Sequence, residues 1–279
     1  MFNISSDILE HIKKDYGEIQ NIVQFHEALS NEVFLIETHK QSLVLKILRN
    51  TEVYEKDLLI SNYCAKENTS PNLLFSSNKY YFIEYIAGGN LNNGLPILEN
   101  HIVKQMASIV KHFHHAPLTI EPLNFKDLEG YYLTKIQELI INNSYFLNDI
   151  KNLMAKVFHT INTFDNMMVV SHNDLNPSNF LLDSSKKLWL IDFEYAGYND
   201  AYFDFAIIKN NLTKEQFQLF ATEYGLKINN EKLHYYNILR VYIDLLWHFE
   251  YFLLYRNKKY LLLGQDSVDK ILNLLKNNI

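Results

Sequence analysis

Between residues 169 and 195 the chain reads VVSHNDLNPSNFLLDSSKKLWLIDFEY, and four of its side chains stand at spacings that suit one kind of chemistry. His172 and Asp174 are separated by one residue, Asn179 follows Asp174 by five, and Asp192 follows Asn179 by thirteen. Asn179 and Asp192 are hard oxygen donors of the kind Mg²⁺ takes, because this ion accepts few protein ligands and keeps phosphate oxygens in its shell. Asp174 can accept the proton of an attacking hydroxyl or hold that hydroxyl in line. His172 is better suited to stiffening the loop by hydrogen bonding than to acting as a base. Taken singly, Asp174, Asn176, Pro177 and Asn179 are ordinary turn formers. Taken jointly, the set points to metal-assisted phosphoryl transfer, in which the protein mainly positions groups and neutralises charge.

Such residues need elements to place them. The apolar runs FLL and LWLI flank the polar turn DSSKK, which reads as a β-hairpin. A hairpin would bring Asn179 and Asp192 side by side, with the preceding loop carrying Asp174 to the same mouth. Upstream, EIQNIVQF, EVFLIET and SLVLKIL alternate with period two and read as three strands. A helix over 52–66 follows, then strands over 72–76 and 80–85. Lys46 lies inside the apolar strand LVLKIL, where it either neutralises nucleotide phosphates, oriented by Glu55 or Glu52, or snorkels from an edge. The turn HEALSNE has no glycine-rich loop, so phosphate contacts there fall to Ser30, Asn31 and backbone N–H groups. In YYFIEYIAGGNL, backbone groups around Glu84 and Ile86 can hydrogen-bond an adenine ring.

Gly88-Gly89-Asn90 and Asn92-Asn93-Gly94 are the clearest punctuation in a chain with only 8 Gly. They place a boundary between a β-rich nucleotide-binding lobe, 1–86, and an α-rich catalytic and substrate lobe, 87–279. Helical patterns over 99–115, 128–142 and 148–165 and from Asp204 onward make the class α+β. His112, His114 and His115 read as the end of a helix, with polar side chains at its carbonyl end. Asp204 is placed to cap a helix or to hold the loop that bears Asp174.

The bulk composition narrows the partners. A hydrophobic share of 48% in 279 residues builds a sizeable core, and a net charge of −6 disfavours a nucleic-acid binder. Cys64 is the single cysteine, which excludes an internal disulfide and a thiolate cluster. The opening stretch is not of signal-peptide type and no apolar run reaches membrane-spanning length, so a cytoplasmic protein without membrane partners is expected. Oligomeric state is not encoded in any readable pattern.

At HNDLNPSNFLL and IDFEYAGYNDAYFDFA the chain resembles the choline/ethanolamine kinase family, within the wider aminoglycoside-phosphotransferase-like group. The resemblance implies a two-lobed protein-kinase-like fold, with ATP and Mg²⁺ as cofactors and a small cationic alcohol as acceptor. It implies Asp174 as catalytic base, Asn179 and Asp192 on Mg²⁺, Lys46 on ATP, and Glu194 and Tyr195 in support of the substrate. Trp247 matches a family tryptophan of an aromatic box for quaternary ammonium, a cation that aromatic faces attract. The family pattern has a second Trp three residues later, where this chain has Glu250. A carboxylate there suits an amine that keeps N–H donors, which favours ethanolamine over choline and admits thiamine. Tyr235, Tyr236 or Tyr242 would complete the box if Glu250 points away. Aminoglycoside phosphorylation, or nucleotide binding without catalysis, are the alternatives.

Overall fold

The computed structural model describes residues 4–25, 31–47, 54–91, 98–137 and 144–276. The chain forms two compact units, Met1–Ile109 with Pro177–Ala196, and Val110–Asn176 with Gly197–Ile279. The first unit thus reaches past the expected 1–86, because the chain leaves it and later returns to it.

In the first unit, helix α1 (Ser6–Tyr16) precedes strands β1 (Ile19–Gln24), β2 (Glu32–Thr38) and β3 (Ser42–Ile47). Helix α2 (Tyr54–Lys66), β4 (Leu73–Ser76) and β5 (Tyr80–Glu84) complete an antiparallel sheet in the order β1-β2-β3-β5-β4. The period-two pattern works as read. Phe34, Ile36, Leu43, Leu45 and Phe82 turn one sheet face inward against Ile8 and Ile12 of α1. On the other face Tyr81 packs with Tyr54 of α2. Lys46 is the register partner of Tyr81 and shares that second face.

Gly88-Gly89-Asn90, expected as punctuation at the lobe boundary, is strand β6 (Gly88–Asn90), which pairs with β8 (Phe180–Asp183). The close approach requires glycine, since a Cβ on Gly88 would lie 2.1 Å from the Leu182 carbonyl oxygen. Asn92-Asn93-Gly94 lies outside the described residues. The anticipated hairpin is β8 with β9 (Leu188–Leu190). Its turn is tied by Asp183, which accepts from the Ser185 N–H at 2.8 Å, the Lys187 N–H at 3.0 Å and Trp189 Nε1 at 2.9 Å. Burial pushes the Asp183 carboxyl up, but these donors prevail and hold it down at about 2. From helix α3 (Asn100–His114), Gln105 clamps the hairpin by accepting from Leu188 N–H and donating to the Lys186 carbonyl.

The second unit is mainly helical: α4 (Phe125–Lys135), α5 (Ser144–Ile161), α6 (Ala201–Asn211), α7 (Lys214–Tyr224), α8 (Asn230–Tyr255) and α9 (Lys258–Lys276). Strand β7 (Met168–Ser171) pairs antiparallel with β10 (Gly197–Asp200), a polar GYND strand that carries no period-two signal. Asp200 caps α6 by accepting from the Tyr202 N–H at 3.0 Å, and Ala201 to Ile208 are all buried, so α6 is the central helix. Helices α8 and α9 form a long antiparallel pair. No described helix is long and apolar enough to cross a membrane.

Candidate active site

In the first unit Lys46 meets Asp192 of the sequence-derived residues. Its Nζ lies 2.7 Å from Asp192 Oδ1 and 3.1 Å from Asp57 Oδ2, and Tyr81 Oη donates to the same Asp57 oxygen at 2.8 Å. Burial alone would lower the lysine's affinity for its proton, but Asp192, Tyr81, Asp57 and Glu194 outweigh it and hold the ammonium charged. The expected partner Glu55 is exposed on α2 and Asp57 takes its place; Glu52 and Ser30 lie outside the described residues. The correction has a helical cause. Asp57 is on the buried stripe with Ile60, Ser61 and Cys64, whereas Glu55 is turned away.

Asn179 ends a 3₁₀ turn, Pro177–Asn179, at the foot of β8. Its carbonyl accepts from the Ile191 N–H at 3.0 Å, which extends the hairpin pairing to the residue before Asp192. Asp192 itself has φ of 68°, a left-handed backbone that a non-glycine residue holds only where the surroundings fix it. Both supply hard oxygen donors, and the Asp192 side chain keeps a third of its surface open, so the pair fits Mg²⁺. Asn31 is buried and donates from Nδ2 to Glu194 Oε2 at 2.8 Å, and Tyr195 beside it is half-buried. Of the adenine-facing backbone candidates, the Glu84 N–H already donates to the Asn72 carbonyl at 2.8 Å. The Ile86 backbone has no partner among the described residues.

In the second unit, the loop after β7 is held by one buried carboxylate. Asp204 accepts from Ser171 Oγ and the His172 and Asn173 N–H groups, each at 2.8 Å, and from His114 at 3.0 Å. Burial pushes its carboxyl up, but these donors, His114 foremost, carry it below the usual carboxylate range. Of the two roles open to Asp204, capping falls to Asp200 and Asp204 holds the loop. His114, read from sequence as a helix end, is a buried member of this network, with Tyr224 Oη 2.9 Å from its other nitrogen. His172 is fully buried, its ring 5.9 Å from Phe113. Asp174 accepts from the Asn176 side-chain amide, whose oxygen in turn accepts from Arg240 Nη2 of α8 at 3.2 Å.

Farther along α8, Trp247 stacks on Tyr251 with centroids 4.0 Å apart and meets Tyr260 of α9 edge-on. Glu250 is buried and accepts from Tyr131 Oη of α4 at 3.2 Å; burial pushes its carboxyl up. Tyr242 is committed to Glu129 at 2.6 Å, Tyr236 packs beside the Lys232–Asp200 pair, and Tyr235 lies against Phe164. The unit therefore offers Trp247, Tyr251 and Tyr260 as its aromatic group. Asp57, Tyr81, His114 and Arg240 escaped sequence reading. For Asp57 a signal existed, a carboxylate set on an apolar helical stripe, since a buried charge demands a partner.

A profile of the choline/ethanolamine kinase family matches residues 22–271. The chain belongs to that family. Among curated proteins, this family member is 27% identical over 179 residues to the protein LicA homolog of Mycoplasma capricolum, covering 63% of this chain and 70% of that one. Its fold matches choline kinase LicA from Streptococcus pneumoniae with a TM-score of 0.75 at 19% identity, covering 97% and 98% of the two chains. It matches a choline/ethanolamine kinase family protein from Mesorhizobium loti at 0.74, with 17% identity and 96% and 92% covered. The gentamicin complex of APH(2″)-IIa matches at 0.72, with 17% identity and 96% and 97% covered. The chain thus has the kinase-like fold of these phosphotransferases, a mixed class with an antiparallel sheet followed by helices.

Proposed function

We propose that this family member transfers the γ-phosphoryl group of ATP to the hydroxyl of a small cationic alcohol, choline or ethanolamine. The observation that carries the reading is Lys46, kept charged between Asp57 and Asp192 on the sheet of the first unit. A buried, doubly paired lysine is a fixed positive charge for nucleotide phosphates. LicA, the structural relative, is also known as an AMP complex, which supports a nucleotide on this fold. Asn31 and Glu194 would support the nucleotide and substrate from the same unit, and the Ile86 backbone would meet the adenine ring. Asn179 and Asp192 would hold Mg²⁺, which supplies charge neutralisation of the phosphates.

Asp174 takes the proton from the acceptor hydroxyl as that oxygen attacks phosphorus and the bond to ADP breaks. His172 and Asp204 hold its loop. Trp247 and Tyr251 give an aromatic surface for the cationic head, and Glu250 gives a carboxylate three residues along the helix. The carboxylate favours an acceptor amine with N–H donors, and so ethanolamine. Incubation with ATP, Mg²⁺ and single acceptors, read as ADP release, tests the assignment. Turnover of an aminoglycoside with none of choline, ethanolamine or thiamine would reject it.

A further inference from the structure

The side chain of Asn176 sits between two groups that leave it no choice of orientation. A guanidinium only donates and a carboxylate only accepts. The Asn176 amide must therefore turn its oxygen to Arg240 and its NH₂ to Asp174, which is the arrangement observed. A flipped amide would set donor against donor and acceptor against acceptor. Arg240 is itself fixed on its helix, since Nη1 lies 2.6 Å from Asp244 Oδ2 one turn along α8, and the Arg240 side chain is only 17% exposed. Residues 240, 244, 247 and 251 recur at spacings of four, three and four, which is one face of a helix. The face that begins with Arg240 and Asp244 continues into the stacked Trp247 and Tyr251.

We infer that Arg240 is a positioning residue: through Asn176 it sets the orientation of the Asp174 carboxylate, and Asp244 locks it in place. The inference rests on the proposed role of Asp174. It makes α8 serve two purposes, presenting the aromatic surface for the acceptor and aiming the base that receives the acceptor's proton. An Arg–Asp pair one turn apart on a helix that served structure alone would add to stability and nothing to turnover. The two readings therefore separate kinetically.

The test compares Arg240→Met, Asn176→Ala, the double variant and Asp244→Asn with the wild type, using the acceptor that turns over fastest. Arg240→Met and Asn176→Ala are each expected to lower kcat by about 10- to 100-fold, with KM for ATP within about twofold of wild type. The double variant should be no worse than the poorer single one, because both break one chain. Asp244→Asn should give a smaller loss of the same kind. If Arg240→Met fails to fold, Arg240→Lys serves: it keeps the charge but cannot span both partners, and kcat should still fall. Wild-type kcat in these variants, or independent multiplicative losses in the double, would overturn the inference. Should the wild type phosphorylate no acceptor at all, the functional reading fails separately. The Asn176 side-chain amide resonances then decide the inference: an NH₂ proton protected from water exchange by its bond to Asp174, which shifts and exchanges faster in Arg240→Met, supports it, and unchanged signals refute it.

Discussion

A lysine in the middle of an apolar strand must find countercharge or leave the core, and nothing adjacent to Lys46 in sequence provides it. The structure supplies Asp57 from α2 and Asp192 from beyond the hairpin. Lys46→Met would leave Asp57 buried and uncompensated, at a cost of about 3–5 kcal/mol, so both the thermal midpoint and kcat/KM for ATP should fall. Lys46→Met combined with Asp57→Asn should recover stability but not turnover, and thermal melts beside steady-state kinetics will tell. Asp174→Ala should lower kcat by about 10²- to 10⁴-fold while ATP binding, measured by calorimetry, stays near wild type. At this scale Asp174, Asn179 and Asp192 were legible because their spacing is a property of one continuous segment. Asp57, His114 and Arg240 were not, because their partners arrive from elements 11 to 110 residues away. Periodicity reveals which face such a residue takes; only the fold reveals what it meets.

The hairpin and the five-strand sheet were readable because alternation of apolar residues maps directly onto a buried face. Strand β10 was not, because GYND is paired through its backbone to β7 and carries no alternating pattern. The glycine pair at 88–89 was read as punctuation, whereas the small size of Gly88 admits the backbone of β8. Helix α8 depends on another close approach. A Cβ on Gly264 of α9 would come within 2.3 Å of the Phe249 ring, so Gly264→Ala should displace α8 or the ring and cost about 1–3 kcal/mol. A fall in thermal midpoint with a raised KM for the acceptor is the expected outcome; an unchanged melt would show that the ring yields freely. The same helix carries a pH dependence. Burial first, then the nearby Arg240 and Lys270, lower His248 from 6.5 to about 4 against a smaller opposing effect of Asp266. The unfolded chain then gains a proton near pH 6.5 that the folded chain refuses until about 4, so stability declines as pH falls through that window. His248→Gln should flatten the slope of the unfolding midpoint against pH between those values.

Across the whole chain, composition narrowed more than it identified: a net charge of −6 disfavours a nucleic-acid binder and a single cysteine cannot build a thiolate cluster, but neither names an acceptor. What composition could not convey is that each compact unit is built from two separated stretches of chain. Asp174 and Asn179, five residues apart, accordingly belong to different units. That division is invisible to any reading that assigns one contiguous span to each lobe. Family membership fixes the broad chemistry and leaves the acceptor to experiment. Turnover should require Mg²⁺ and vanish on chelation with EDTA while circular dichroism is unchanged, since the ion would act on phosphates and not on the fold. The most direct measurement supplies the wild type with Mg²⁺ and γ-labelled ATP and offers choline, ethanolamine, thiamine and an aminoglycoside in separate reactions. Labelled phosphate ester on choline or ethanolamine, absent with Asp174→Ala, is the expected result. Label on the aminoglycoside alone, label on none of them, or undiminished transfer by Asp174→Ala would contradict it.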